Sequence, residues 1–135
     1  MIAFFDTNIH IALLRGSITV QSVLSLVKGG PVRLSPVVAS ELLRGSSGAG
    51  ARAVEKLVQN LLPIEPPAWK QCWYEAGRLL HRVFRDHEEV GLARLQNDVL
   101  LALTSRHTGA PFVSYDAHFI ALRKCVDFPL VTVTD

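Results

Sequence analysis

Short apolar runs alternate along the chain with longer stretches in which hydrophobic residues recur every three or four positions. Residues 2–5, 32–35, 111–115 and 130–134 read as buried strands, with a weaker candidate around 62–65. Helical spacing covers about 7–15, 19–28, 36–45, 50–61, 67–87, 92–107 and 117–124. Gly29-Gly30-Pro31, Gly45-Ser46-Ser47-Gly48, Pro63 to Pro67 and Gly109-Ala110-Pro111 supply the breaks between them. Short strands alternating with helices predict a central parallel sheet of four to five strands covered on both faces. The expected class is therefore a three-layer α/β/α fold. With 135 residues, the chain fits a single domain spanning 1–135.

Four acidic residues interrupt these apolar segments: Asp6 after Phe4-Phe5, Glu41 after Val37-Val38, Asp98 before Val99-Leu100-Leu101, and Asp116 after Phe112-Val113. Carboxylates are rarely buried without a partner, and desolvating an unpaired one costs several kcal/mol or raises its pKa. Asp6 and Asp116 stand just past predicted strands, at the sheet edge where ligands bind in parallel folds. Asp98 shares a helix face with Leu95, Leu101 and Ala102, and Glu41 lies three and four residues beyond Val38 and Val37. Two strand ends and two inward helix faces can meet at one edge. Oxygen ligands gathered there call for a hard divalent cation, and so for chemistry on phosphate.

Each acid also has a local reading. Asp6 could cap the helix after it, Glu41 could pair with Arg44, Asp98 could meet a buried arginine, and Asp116 could cap a helix.

Composition narrows the class only a little. Hydrophobic residues make up 49% of the chain and charged residues 19%, which excludes a disordered segment. Cys72 and Cys125 are far apart in the chain and form no CxxC pair, which argues against a disulfide scaffold and fits a reducing, cytoplasmic setting. The opening Met1-Ile2-Ala3-Phe4-Phe5 meets Asp6 with no basic leader, so neither a signal peptide nor a membrane span is expected. A net charge of +2 is compatible with nucleic acid without pointing to it.

Taken together, Phe4-Phe5-Asp6-Thr7-Asn8, Ser40-Glu41-Leu42-Leu43-Arg44-Gly45, Asn97-Asp98 and Phe112-Val113-Ser114-Tyr115-Asp116-Ala117-His118-Phe119 resemble the PIN-domain family. Within it they look most like the VapC-type toxins of prokaryotic toxin–antitoxin pairs, in order and spacing across essentially the whole chain. Ser114 stands where that family often has Thr, which keeps the hydroxyl. The resemblance implies a metal-dependent endoribonuclease using Mg²⁺ or Mn²⁺. Asp6 and Asp98 would be the core ligands, and Glu41 and Asp116 would bind directly or through water. Thr7, Asn8 and Ser114 would orient these carboxylates. It also implies an RNA substrate, a cognate antitoxin protein and a homodimer. Arg15 and Arg44 are candidates for contact with RNA phosphate or with the antitoxin. A water nucleophile makes the RNA 2′-OH unnecessary, so the expected products carry 5′-phosphate and 3′-OH ends.

Two other readings stay open. A catalytically inert PIN-fold binding module is expected to have lost an acid, and this chain keeps all four. A phosphoaspartate protein built on Asp6 would want a second acid two residues on, where Asn8 stands.

Other residues admit both surface and functional roles. Lys70, Arg78, Arg82 and Arg85 read as a solvated helix face, and Trp69 and Trp73 as core or as a partner groove. His10, His81, His87, His107 and His118 show no ligand spacing; His118, near Asp116, is a candidate for substrate contact.

Overall fold

Strand β1 (Ala3–Phe5) is buried at every position, as a strand covered on both faces must be. In this computed structural model, which describes residues 2–66, 68–83 and 92–134, the sheet has four parallel strands in the order β2-β1-β3-β4. The other three are β2 (Val32–Arg33), β3 (Phe112–Ser114) and β4 (Leu130–Thr132). The weak candidate near 62–65 contributes a single parallel bridge, Leu34 with Pro63, and no strand. The bridge runs from the Leu34 N–H to the Leu62 carbonyl and from the Ile64 N–H to the Leu34 carbonyl, and its next step would need N–H groups at 36 and 66, both of which are proline.

Helices α1 (Thr7–Arg15), α2 (Val20–Leu26), α3 (Pro36–Gly45), α4 (Ala49–Asn60), α5 (Trp69–Val83), α6 (Leu92–Thr108) and α7 (His118–Arg123) fill the connections among the described residues. Alternation along β1 separates two cores. Ala3 and Phe5 point to one face, where they pack with Ile9 of α1, Val23 of α2 and Val113. Phe4 points to the other, joining Leu34, Val38, Val99, Phe112 and Phe119 from α3, α6, α7 and the neighbouring strands. The result is the expected three-layer arrangement.

Helix α6 is the keystone of the larger core. Val99 to Leu103 are all buried, so this helix has no solvated side over that stretch. Its buried hydroxyls bond inward: Thr104 donates to the Leu100 carbonyl and Ser105 to the Ala110 carbonyl, at 2.7 Å each. Helix α3 begins on Ser35, whose hydroxyl accepts from the Val37 amide, with Pro36 in the first turn. Helix α1 ends on Gly16, whose φ of 75° is a left-handed conformation suited to glycine.

On α5 the two tryptophans divide. Trp69 packs against the core, while Trp73 is exposed, with ring centroids 6.1 Å apart. Lys70 and Arg78 face solvent as expected. Arg85, His87 and the side chain of Arg82 lie outside the described residues. Both cysteines are free, Cys72 buried and Cys125 exposed. Among the described residues no helix is long and apolar enough to cross a membrane.

Candidate active site

From β1 the chain crosses to β2 on one side of the sheet, and from β3 it crosses to β4 on the other. The carboxyl ends of β1 and β3 therefore flank a topological switch point, where parallel sheets open a crevice. Asp6 leaves β1 there. Its backbone N–H donates to the Val113 carbonyl at 2.8 Å, which fixes it beside the end of β3.

The Asp6 side chain is both helix cap and site member. Its Oδ1 accepts from the Thr7 amide at 2.8 Å, and its Oδ2 accepts from the Ser114 hydroxyl at 2.6 Å. The Ser114 oxygen in turn accepts from the Asp116 amide at 2.9 Å. Asn8 braces the same corner: its Oδ1 accepts from the Tyr115 amide at 3.3 Å, and its Nδ2 stands 3.5 Å from Ser114 Oγ. Thr7 donates its hydroxyl to Glu41 at 3.0 Å, so Glu41 turns to Thr7 and not to Arg44. All three hydroxyl and amide side chains named from the sequence thus touch an acid or its immediate support.

Asp98 and Asp116 are held by His118 and Arg94, partners that their sequence spacing did not assign to them. His118, the first residue of α7, lies between them, with Nε2 2.6 Å from Asp98 and Nδ1 2.8 Å from Asp116. The His118 backbone N–H also donates to Asp116 Oδ1, at 3.2 Å. Arg94 of α6 reaches the other Asp116 oxygen at 2.9 Å. Asp98 therefore meets a histidine in place of a buried arginine. Arg94 was legible in principle, because it stands four residues before Asp98 and so shares its helix face.

One chain of hydrogen bonds now links the four acids: Glu41, Thr7, Asp6, Ser114, Asp116, His118, Asp98. Its two halves differ electrostatically. Burial raises the Asp6 pKa to about 6, against the lowering effect of the Ser114 and Thr7 bonds, and the charges of Asp98 and Glu41 add to the rise. Burial also pushes Glu41 up, helped by Asp98 and opposed by Thr7 and Arg44. On the other side burial works against ionised Asp116, but the bonds and charge of His118, together with Arg94, outweigh it and hold its pKa below the usual value. His118 is raised, chiefly by its bond to Asp98. Among the described residues no Lys, Arg or His side chain pairs with Asp6 or Glu41, whereas Asp116 is paired with Arg94 and both Asp98 and Asp116 meet the His118 ring.

That asymmetry bears on metal binding. Among the described residues, no three His, Cys, Asp or Glu side chains are already disposed around one point as ligands. The physical reason is visible in the contacts: Asp98 and Asp116 direct oxygens at His118 and Arg94. Yet Asp98 is near enough to raise the proton affinity of Asp6 and Glu41, Glu41 raises that of Asp6, and all their donors are hard oxygens. Such a set fits a hard divalent cation.

Beside Glu41 a cleft of about 350 Å³ opens between α1, α3 and α4, lined by Ile11, Leu14, Arg15, Leu42 and Val54. Arg15 therefore shares a cleft with Glu41, whereas Arg44 is exposed one turn further along α3.

A family model described as "PIN domain" matches residues 3–124. The chain belongs to the PIN-domain family. This PIN domain is 32% identical over 101 residues to Ribonuclease VapC10 of Mycobacterium tuberculosis, a match covering 74% of this chain and 71% of that protein. Its fold is similar to that of VapBC2 from Rickettsia felis, solved bound to a DNA fragment from their promoter. There the TM-score is 0.67 and the identity 19%, over 99% of this chain and 100% of the other. A similar likeness joins it to VapBC-5 from Mycobacterium tuberculosis, a member of the VapBC family of toxin–antitoxin systems, with TM-score 0.57 and 18% identity over 98% of each chain.

Proposed function

We propose that this PIN domain is a metal-dependent endoribonuclease, the toxin of a VapBC-type toxin–antitoxin pair that acts in the cytoplasm. The observation that carries the reading is the convergence of Asp6, Glu41, Asp98 and Asp116 on one hydrogen-bonded chain at the sheet's switch point. Likeness to a ribonuclease of the VapC type supports the choice of RNA as substrate.

Asp6 and Asp98 would hold Mg²⁺ or Mn²⁺, with Glu41 and Asp116 joining directly or through water. When bound, the ion supplies a nucleophilic water at neutral pH and positive charge for the phosphate oxygens. The protein's own residues do the rest. Thr7 and Ser114 fix both oxygens of Asp6, so the carboxylate needs no reorientation when substrate arrives. Glu41, aimed by the Thr7 hydroxyl and with its proton affinity raised, is the group suited to take a proton from the attacking water. Arg15, in the cleft next to Glu41, is placed to meet an anionic phosphate or an acidic partner segment. Arg44, one turn beyond Glu41, is a second candidate for the same role.

The partners of this reading are RNA, a cognate antitoxin and a second copy of the chain. An uninhibited small ribonuclease would endanger its host, and the solved relatives of the VapBC type support an antitoxin.

The test is cleavage of a labelled, mixed-structure RNA by partner-free protein with Mg²⁺, with Mn²⁺ and with EDTA, beside Asp6→Asn. Cutting that needs metal, leaves 5′-phosphate ends and vanishes in Asp6→Asn is expected. Cleavage that persists in EDTA, or ends in 2′,3′-cyclic phosphate, would overturn the mechanism.

A further inference from the structure

His118 is used by none of the steps above, yet its ring contacts two of the four acids at once. Its ring takes one oxygen from each of two carboxylates, at 2.6 Å and 2.8 Å. Both ring nitrogens are engaged, so the imidazole fills the place between Asp98 and Asp116 that a shared cation would need. We propose that His118 is a latch on the candidate metal site, holding Asp98 and Asp116 in the metal-free protein and swinging out before both can serve one divalent cation. The inference rests on the metal-dependent reading above and adds an order of events to it.

Three features make the swing feasible. The His118 side chain is 32% exposed, so one side of the ring opens to solvent. Its backbone N–H caps Asp116 independently of the ring, so Asp116 keeps its orientation when the imidazole leaves. The ring stacks on the neighbouring Phe119 with centroids 4.6 Å apart, but Phe119 itself is buried and anchored in the core, so only the histidine need turn.

The other half of the site has no such obstacle. Asp6 is tied to an amide and a hydroxyl, and Glu41 to a hydroxyl. Neutral donors of this kind orient a carboxylate without cancelling its charge. A cation therefore meets the Asp6–Glu41 side first, and recruits Asp98 and Asp116 together only at the expense of the two ring contacts to His118. Arg94 stays on the outer Asp116 oxygen throughout, because it does not compete for the one facing His118.

The experiment is calorimetric titration of the full chain with Mn²⁺ for the wild type, His118→Ala and His118→Gln, with imidazole NMR of the wild type on adding Mg²⁺. Both variants are expected to bind roughly tenfold more tightly, since binding no longer displaces the ring's hydrogen bonds to Asp98 and Asp116. The His118 ring signals should move on saturation with Mg²⁺. Equal affinities in all three proteins with unmoved ring signals would overturn the latch while leaving the metal site intact. Weaker binding in both variants would instead make His118 a supporting group and also overturn it. If neither variant folds, the wild-type ring signals decide. Absence of Mn²⁺ binding in every folded protein would remove the metal reading and the latch together.

Discussion

The Ser114 hydroxyl donates to the Asp6 carboxylate across 2.6 Å and so ties the carboxyl end of β3 to that of β1. The same oxygen accepts from the Asp116 amide, and Ser114 is fully buried. Ser114→Ala leaves the Asp116 N–H without its acceptor and Oδ2 of the buried Asp6 carboxylate without its donor. Thermal melts should show a loss of about 1–3 kcal/mol, and RNA cleavage should fall at least about tenfold. Ser114→Thr keeps the hydroxyl and should retain most of both.

Asp6 and His10 oppose each other in pH dependence. Asp6 titrates near 6 in the folded protein against an ordinary 3.8, so its contribution to stability is present below about 4 and lost as pH rises through 6. His10, buried with its Nε2 unpartnered among the described residues, is lowered by burial from 6.5 to about 4, so its contribution is present above 6.5 and lost as pH falls. Each amounts to about 3 kcal/mol at most, with opposite sign over the same window. Glu41, also raised, acts in the direction of Asp6. Metal-free wild type should therefore show a shallow profile between pH 4.5 and 6.5. His10→Phe should unmask a fall in melting temperature with rising pH in EDTA. A rise with pH in that variant would contradict the assignment. The stabilising pair of His118 with Asp98 weakens only above pH 6.5, outside this window.

Relief of the crowded charge should be largest at Asp6. Asp6→Asn removes a buried carboxylate that pairs with no cation among the described residues, so metal-free protein at pH 7 should gain about 1–2 kcal/mol, a few degrees in melting temperature. The gain stays below the full desolvation term because the new amide would face Ser114 Oγ, which already accepts from Asp116 N–H. Asp98→Asn should gain less or lose, since it weakens the contact with His118.

Thr7 and Glu41 separate chemistry from its alignment. Glu41→Gln should cut RNA cleavage by roughly 10²–10³-fold with no drop in melting temperature, because it removes a charge that burial opposes. Thr7→Val loses only the 3.0 Å bond that aims Glu41 and keeps the backbone N–H that Asp6 caps. A fall of about tenfold is expected there. Measured single-turnover rates for the two variants in that order would support the roles; equal losses would not.

Most of this fold was legible because its signals are local. Fully apolar β1, the Gly16 stop and the Ser35-Pro36 start each declare an element without help from elsewhere. The candidate strand near 62–65 was reduced to one bridge because proline chemistry overrode a short apolar run. The acids could be picked out because a carboxylate amid apolar residues is costly wherever it falls. Their partners were harder to see. His118 meets Asp98 across twenty positions of sequence, and nothing in its spacing marks that contact. Arg94 gave a fainter signal, one turn before Asp98 on α6, but an arginine at that spacing is also an ordinary surface residue.

The most direct measurement is Mn²⁺ binding by calorimetry to partner-free protein, repeated on Asp6→Asn, Glu41→Gln, Asp98→Asn and Asp116→Asn. If the four acids form one metal site, the wild type binds, each single variant binds more weakly, and Asp6→Asn and Asp98→Asn lose the most. A folded wild type that binds no Mn²⁺, or variants that all bind as tightly as it does, would contradict that claim.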